Sequence, residues 1–323
     1  LLVLAGATVT ALSASPPLGA QAPDKFPSKP IRLVIPFPPG GTTDIIGRAV
    51  GARLTELLGQ PLVFDNRPGA AGTIGSELVA RAPADGYTLV MSNVASHATA
   101  ATLYAKLPYD PVKDFAPITL AVLVPQVLLV HPSLPARNVK ELIAIARKRP
   151  GEINFGSSGN GSTGHLGMEL LKSITGTDMV HIPYKGAAPA MLDLLGGRIV
   201  AMIDSAPTAL PQVKAGKVRA IGTTGPRRMA LLPDIPTVAE QGFPGFETVA
   251  WFGFSAPAGT PAAVIARLHQ DLVRVLKLPE VREQFAQLGA EPVGNTPAEY
   301  LAFQQAEIAK WAKVIRAAGV RLD

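Results

Sequence analysis

The residues best able to do chemistry lie in one run, GSSGNGSTGH, from Gly156 to His165. An apolar stretch, GEINF, precedes it, and LGMELLKSITG, with the apolar spacing of a helix, follows. A glycine-rich turn between a strand and a helix aims peptide N–H groups at an anion, with the helix dipole behind them. Three familiar sites are nearly spelled here. A phosphate-binding P-loop needs a lysine after its second glycine; Gly156 and Gly161 have the spacing, but Ser162 takes the lysine's place. Gly159, Gly161 and Gly164 match a dinucleotide fingerprint. That fingerprint also needs an acid at the end of the next strand, where the chain has Pro183, Tyr184 and Lys185; Asp178 lies at the wrong end. A serine nucleophile elbow would centre on Ser158, but Asn160 replaces its final glycine.

What remains is a loop rich in donors and free of cations. Ser157, Ser158, Asn160, Gly161, Ser162 and Thr163 suit a carboxylate held by neutral groups at a helix N-terminus. The plainer reading is a helix-capping turn, and His165 can cap or pack there. A second loop has the same design: PFPPGGTTD, with Phe37, Gly40, Gly41, Thr42, Thr43 and Asp44, also joins a strand to a helix. In open α/β sheets, ligands sit beyond the carboxyl ends of the strands. Two such loops facing each other would form a cleft around a small anion.

The elements that must carry these loops alternate along the chain. Strands are predicted at 31–37, 61–66 and 87–93, with helices at 43–59 and 72–82 between them, a βαβαβ order that requires a parallel sheet. FAPITLAVLVPQVLLVHP reads as two strand-like runs broken at Pro125. A second βα series runs from NVKELIAIARK to VRAIGTT, and the chain after WFGFSAPAG is mostly helical, over 261–277, 279–288 and 297–318. The expected fold is two Rossmann-like α/β domains in tandem, with apolar extended segments near 121–130 and 246–256 crossing between them. That gives a first domain of residues 26–124 plus 251–323, to which the C-terminal helices return, and a second of 125–250.

Composition narrows the function. The 323 residues are 47% hydrophobic and 17% charged, so the chain can bury real cores. No cysteine is present, which excludes disulfides and thiolate metal sites. The five histidines lack metal-ligand spacing, and no metal or other cofactor is expected. The net charge of +6 is spread out and not interleaved with aromatics, so a small anion suits it better than nucleic acid. Residues 1–22 carry no charge and end in Ala-Gln-Ala, the pattern of a secretory signal peptide, which makes the expected location the periplasm.

Long, ordered stretches carry a resemblance. PSKPIRLVIPFPPGGTTDIIGRAV, VFDNRPGAAGTIGSELVARAPADGYTL, INFGSSGNGSTGHLGMELL, HIPYKGAAPAMLDLLGG, MIDSAPTALPQVKAGKVRAI and LPDIPTVAEQGFPGFE together resemble the Bug family. These are the periplasmic substrate-binding proteins of tripartite tricarboxylate transporters, and the similarity spans roughly residues 26–323. The resemblance implies a type II periplasmic-binding-protein arrangement and no catalysis. It implies a small organic carboxylate as ligand (a citrate-like acid, an acidic amino acid, or nicotinate or another aromatic acid), held mainly by amides, hydroxyls and water. It also implies delivery to membrane transporter subunits or a sensor kinase. A monomer is the default expectation, since the sequence leaves the oligomeric state open. By motif it adds Ser92, Asn93, Ser96 and His97 from SNVASHA; Tyr184, Lys185, Gly186, Ala187 and Ala188 from YKGAAPA; and Asp204, Ser205 and Pro207 from MIDSAPTAL. Family members often carry an aromatic residue where this chain has Ile203. The rival reading is a secreted α/β serine hydrolase acting through Ser157 or Ser158.

Overall fold

The structure is a computed structural model that describes residues 26–321. The region read as a signal peptide lies outside the described residues. The protein has a mixed α/β fold built on one curled sheet.

The first βαβαβ series appears where the periodicity predicts it. β1 (Ile31–Ile35), β2 (Leu62–Asn66) and β3 (Thr88–Asn93) pair in parallel, β1 in the middle. They are joined by α1 (Thr42–Leu58) and α2 (Thr73–Ala80). α1 stops at Gly59, which takes a left-handed φ of 66° and donates its N–H to the Thr55 carbonyl, as a glycine C-cap does. Ile46, Val50 and Leu54, one face of α1, are buried against Ile31, Leu33 and Ile35.

After β3 the backbone enters a π-helical turn, Ala95–Thr99, and a short helix α3 (Ala100–Leu103). Then comes β4 (Phe115–Val130), the longest strand at sixteen residues. The sequence reads as two runs broken at Pro125, yet the strand is continuous. The reason is that Pro125 sits where β4 changes partners. From Phe115 to Pro125 it pairs with β9 (Val249–Pro257), and from Gln126 to Val130 with β7 (Ala201–Ser205) and β8 (Arg219–Thr223). A residue with no N–H is tolerated at such a change of partner.

The second series fills the other half of the sheet. α4 (Val139–Lys148), β5 (Asn154–Ser157), α5 (Thr163–Thr175), β6 (Val180–Pro183), α6 (Ala187–Leu195) and α7 (Ala206–Lys214) alternate with β7 and β8. β5 lies between β6 and β7, parallel to both. The chain closes with α8 (Ala262–Lys277), α9 (Pro279–Leu288), the two-residue β10 (Glu291–Pro292) against β4, and α10 (Pro297–Ala318). α10 starts with a capping box, Thr296 and Glu299, around Pro297. Its Tyr300, Trp311 and Ile315 are buried with Val94, Leu103, Leu120 and Trp251, and also with Leu166 of α5, so this helix packs on both halves of the sheet.

Candidate functional site

Four helices begin at one place. The carboxyl ends of β1, β5, β6 and β7 lead into α1, α5, α6 and α7, and a cavity of about 60 Å³ lies among their N-termini. Gly41, Thr42 and Thr43 line it from α1, Ser162 and Thr163 from α5, Ala187 from α6 and Ser205 from α7. Phe37, Asn93, Ser158 and Asp204 complete the sequence-predicted part of the wall. Among the described residues, no lysine or arginine lines it. Only α5 has a side-chain cap: Ser162 accepts from the N–H of His165 at 3.3 Å. The N-caps of α1, α6 and α7 are Gly41, Gly186 and Ser205, and none makes a side-chain cap bond. First-turn N–H groups without intrahelical partners therefore remain as donors.

Other sequence-predicted residues stand just behind this wall. Asp44 is buried, and its carboxylate accepts from the Gly40 N–H (3.0 Å), from Asn66 Nδ2 (3.0 Å) and from Arg48 Nε (2.8 Å). Asn66 also donates to the Phe37 carbonyl at 3.0 Å, so Asp44 and Asn66 together fix the Phe37–Gly41 loop. Ser92 donates to Ser255 across β3 and β9 at 2.8 Å. Ser157 is fully buried and pairs with His181 Nε2 at 2.7 Å. The His181 ring stacks on His165, centroids 3.8 Å apart. Burial holds both imidazoles neutral, His165 near pKa 3 and His181 near 4, with Lys172 pushing the same way. His165 Nδ1 accepts the Gly161 N–H at 3.0 Å, which ties the loop to the helix it precedes.

Asn160, Tyr184 and Lys185 line a neighbouring pocket of about 190 Å³ that shares Phe37 and Ser158 with the first. Tyr184 donates to Asp193 at 2.7 Å. Gly161 and Gly186 are contact points between the halves of the sheet. The Gly161 carbonyl accepts from Thr99 Oγ1 at 2.8 Å, and a Cβ on Gly161 would stand 2.2 Å from Leu103. A Cβ on Gly186 would stand 2.8 Å from Pro38. Ser96 and His97 lie in the π-helical turn behind Asn93 and do not line either pocket.

Among the described residues, Asp204 is the one ionisable group on the wall of the first cavity. It is 4% exposed and accepts from Thr208 Oγ1 at 2.5 Å. Burial raises its pKa to about 6 against the opposing pull of Thr208 and the Ser205 N–H.

The sequence reading missed one whole side of the cavity. Gln126 from β4, Val94 and Ala95 from the turn after β3, and Ala250, Trp251 and Phe252 from β9 all line it, beside Ile203, a position the sequence does single out. Trp251 is held rigidly, because Glu307 of α10 accepts from its indole N–H at 3.1 Å and from that of Trp311 at 2.8 Å. The apolar alternation in VAWFGFSAP was the available signal, but which residues face the cavity depends on register with β3 and β4.

Comparison with known proteins shows the family and the fold of this chain. The family described as tripartite tricarboxylate transporter family receptor, TctC, matches residues 46–320. Protein BugT of Bordetella pertussis is 38% identical over all of this chain and 98% of its own. Rpa4515 of R. palustris, solved with adipate, superposes with a TM-score of 0.90 at 42% identity, covering 92% of this chain and 99% of that one. MatC from Rhodopseudomonas palustris, with bound malate, gives a TM-score of 0.86 at 34% identity, over 90% of this chain and 100% of that one. With a family match over most of its length and a full-length relative at this identity, the chain belongs to the TctC family of tripartite tricarboxylate transporter receptors.

Proposed function

We propose that this receptor works in the periplasm, where it captures a small organic carboxylate in the cavity between the two halves of its sheet and hands it to a transporter of the tripartite tricarboxylate type or to a sensor. One observation carries the reading: four helix N-termini, three of them without a side-chain cap, surround a cavity whose wall has no lysine or arginine. Such a site holds a carboxylate through peptide N–H groups, hydroxyls and dipoles. The solved relatives with adipate and malate support the ligand class.

In this reading the halves are two lobes, residues 26–124 with 251–323 and residues 125–250, which move about β4 and β9. The carboxylate touches both lobes only when they are closed, and that differential contact drives closure. The protein acts as a monomer and transforms nothing. Ser158 reaches the cavity but hydrogen-bonds to no histidine among the described residues, and Ser157 pairs with His181 away from it. An acyl-transfer site needs nucleophile and base together at the substrate.

Thermal unfolding against citrate, malate, succinate, adipate, aspartate, glutamate, nicotinate and benzoate tests this. An acid at 100 times its dissociation constant adds about 2.7 kcal/mol of stability, which raises the midpoint by about 5 °C. The reading fails if none of the acids raises the midpoint and mass spectrometry of denatured protein releases no bound acid.

A further inference from the structure

Asn93 is the last residue of β3, 5% exposed, and its side chain lines the cavity. Its amide has two ends, one accepting and one donating, and only the donating end can hold a carboxylate. The structure contains a device that decides which end faces inward. The Ser96 N–H, which can only donate, points at Asn93 Oδ1 at 3.1 Å. The Ser96 hydroxyl donates to the same oxygen at 3.3 Å. With the oxygen occupied from behind, the amide NH2 has no partner among the described residues and is turned to the cavity.

The Ser96 hydroxyl has one proton, and giving it to Asn93 leaves its oxygen as an acceptor. His97 Nδ1 lies 2.8 Å from that oxygen. His97 is fully buried, packed edge-on to Phe115 with centroids 4.6 Å apart, and its Nε2 has no partner among the described residues. A buried N–H without an acceptor is rarer in proteins than an under-used acceptor. The proton therefore belongs on Nδ1, where it is donated to Ser96. Two further bonds hold the turn: Tyr109 Oη donates to the Ser96 carbonyl at 2.6 Å, and Gln304 Nε2 donates to the His97 carbonyl at 3.0 Å. Both carbonyls belong to the π-helical turn, a geometry that recurs at functional sites.

We propose that His97, which does not reach the cavity, is a positioning residue for ligand binding: its Nδ1–H orders the Ser96 hydroxyl toward Asn93 Oδ1, and this second bond, added to that of the Ser96 N–H, holds the Asn93 NH2 as a fixed donor to the ligand's carboxylate. Asn93 and His97 thus have different parts, one touching the ligand and one acting through Ser96. The ligand part rests on the carboxylate reading above; the hydrogen-bond relay does not.

The first test needs no ligand. Long-range 15N–1H correlation of the His97 imidazole at pH 7 reports which ring nitrogen carries the proton. A protonated Nδ1 with a bare Nε2 is expected, and a proton on Nε2 overturns the relay. The second test measures affinity by calorimetry, using adipate, malate or whichever acid of the panel binds tightest to the wild type. His97→Leu removes the donor and keeps much of the volume; His97→Asn keeps an N–H donor at the same branch point. One lost charge-assisted bond corresponds to about a tenfold weaker affinity. His97→Leu and Ser96→Ala are expected to show that loss, and His97→Asn to restore affinity to within about threefold of wild type. Equal affinity of His97→Leu and wild type, or equal losses in His97→Leu and His97→Asn, removes the positioning role. If no acid binds, the carboxylate reading falls, and the tautomer alone decides the relay.

Discussion

Asp204 shows how a single side chain can oppose the fold that holds it. Its carboxyl is buried on the cavity wall with no cation beside it, and burial raises its pKa from 3.8 to about 6. A folded-state pKa above the unfolded one means that the native state binds the extra proton between pH 4 and 6. Stability from this group is therefore full below pH 4 and is lost as the pH rises through 6. The shift of about two units corresponds to about 3 kcal/mol. Asp204→Asn should make the ligand-free protein about 3 kcal/mol more stable at pH 8 and change it little at pH 4. Urea unfolding of both proteins across pH 4–8 checks this, and the difference between them matters because the histidines slope the other way. His97 has its pKa lowered to about 3 by burial, so it withdraws stability as the pH falls below 6.5. A variant that gains nothing at pH 8 would show that Asp204 is solvated or paired in solution. At this scale the sequence was informative about type and silent about direction. It marked Asn93, Ser96, His97 and Asp204 as polar groups at strand ends. Only the coordinates separate the two whose side chains reach the cavity, Asn93 and Asp204, from the two that stand behind Asn93.

In the closure proposed above, the element that matters most is the Ser157–Thr163 loop. Its positions are legible in the sequence because glycine and hydroxyl residues between a strand and a helix are a local signal. Its contacts are not. Gly161 has φ of 74°, and its carbonyl and missing Cβ face Thr99 and Leu103 across the cleft. A side chain there is strained by the left-handed backbone and collides with the opposite half. Gly161→Ala should leave the midpoint of unfolding within a few degrees of wild type, since about 1 kcal/mol of backbone strain is the main cost to the ligand-free fold. It should also weaken binding by at least about tenfold, because the closed form is the one that suffers the collision. Isothermal titration with an acid from the panel measures this, and an unchanged affinity would mean that the loop does not close against α3. The π-helical turn at Ala95–Thr99 had no sequence signal, because moving a hydrogen bond by one residue needs no special composition. The unbroken β4 was misread for a related reason. Pro125 is a breaker only if its N–H is needed, and a change of strand partner removes the need.

Taken as a whole, the protein has two α/β halves of one sheet, with β4 running through both. The alternation of strand and helix signals made that class legible, and the tandem order of the two series pointed to two halves. The cavity floor was not legible, since Gln126, Trp251 and Phe252 meet only through pairing of β4 with β9, segments more than a hundred residues apart in the chain. The described conformation has the halves in touch. Pro38 meets Gly186, Thr99 meets Gly161, and Thr42 lies 3.5 Å from Thr208. Small-angle scattering should show a larger radius of gyration without ligand than with a saturating acid, and the Gly161→Ala protein should stay in the larger form at the same acid concentration. Identical profiles with and without a bound acid would argue for a rigid receptor.

Mutation readily changes a side chain, whereas a peptide N–H is lost only on substitution by proline. Because first-turn residues of α1, α5, α6 and α7 line the cavity, the proposed capacity for an anion comes with the fold itself and should survive most single side-chain changes. In the same reading, discrimination between acids falls to the apolar part of the wall, Ile203, Trp251 and Phe252. Duplicated copies of such a gene can diverge in which acid they recognise without passing through a form that recognises none. A small library varied at those three positions, with the amide-bearing loops untouched, is the shortest route to receptors for new acids.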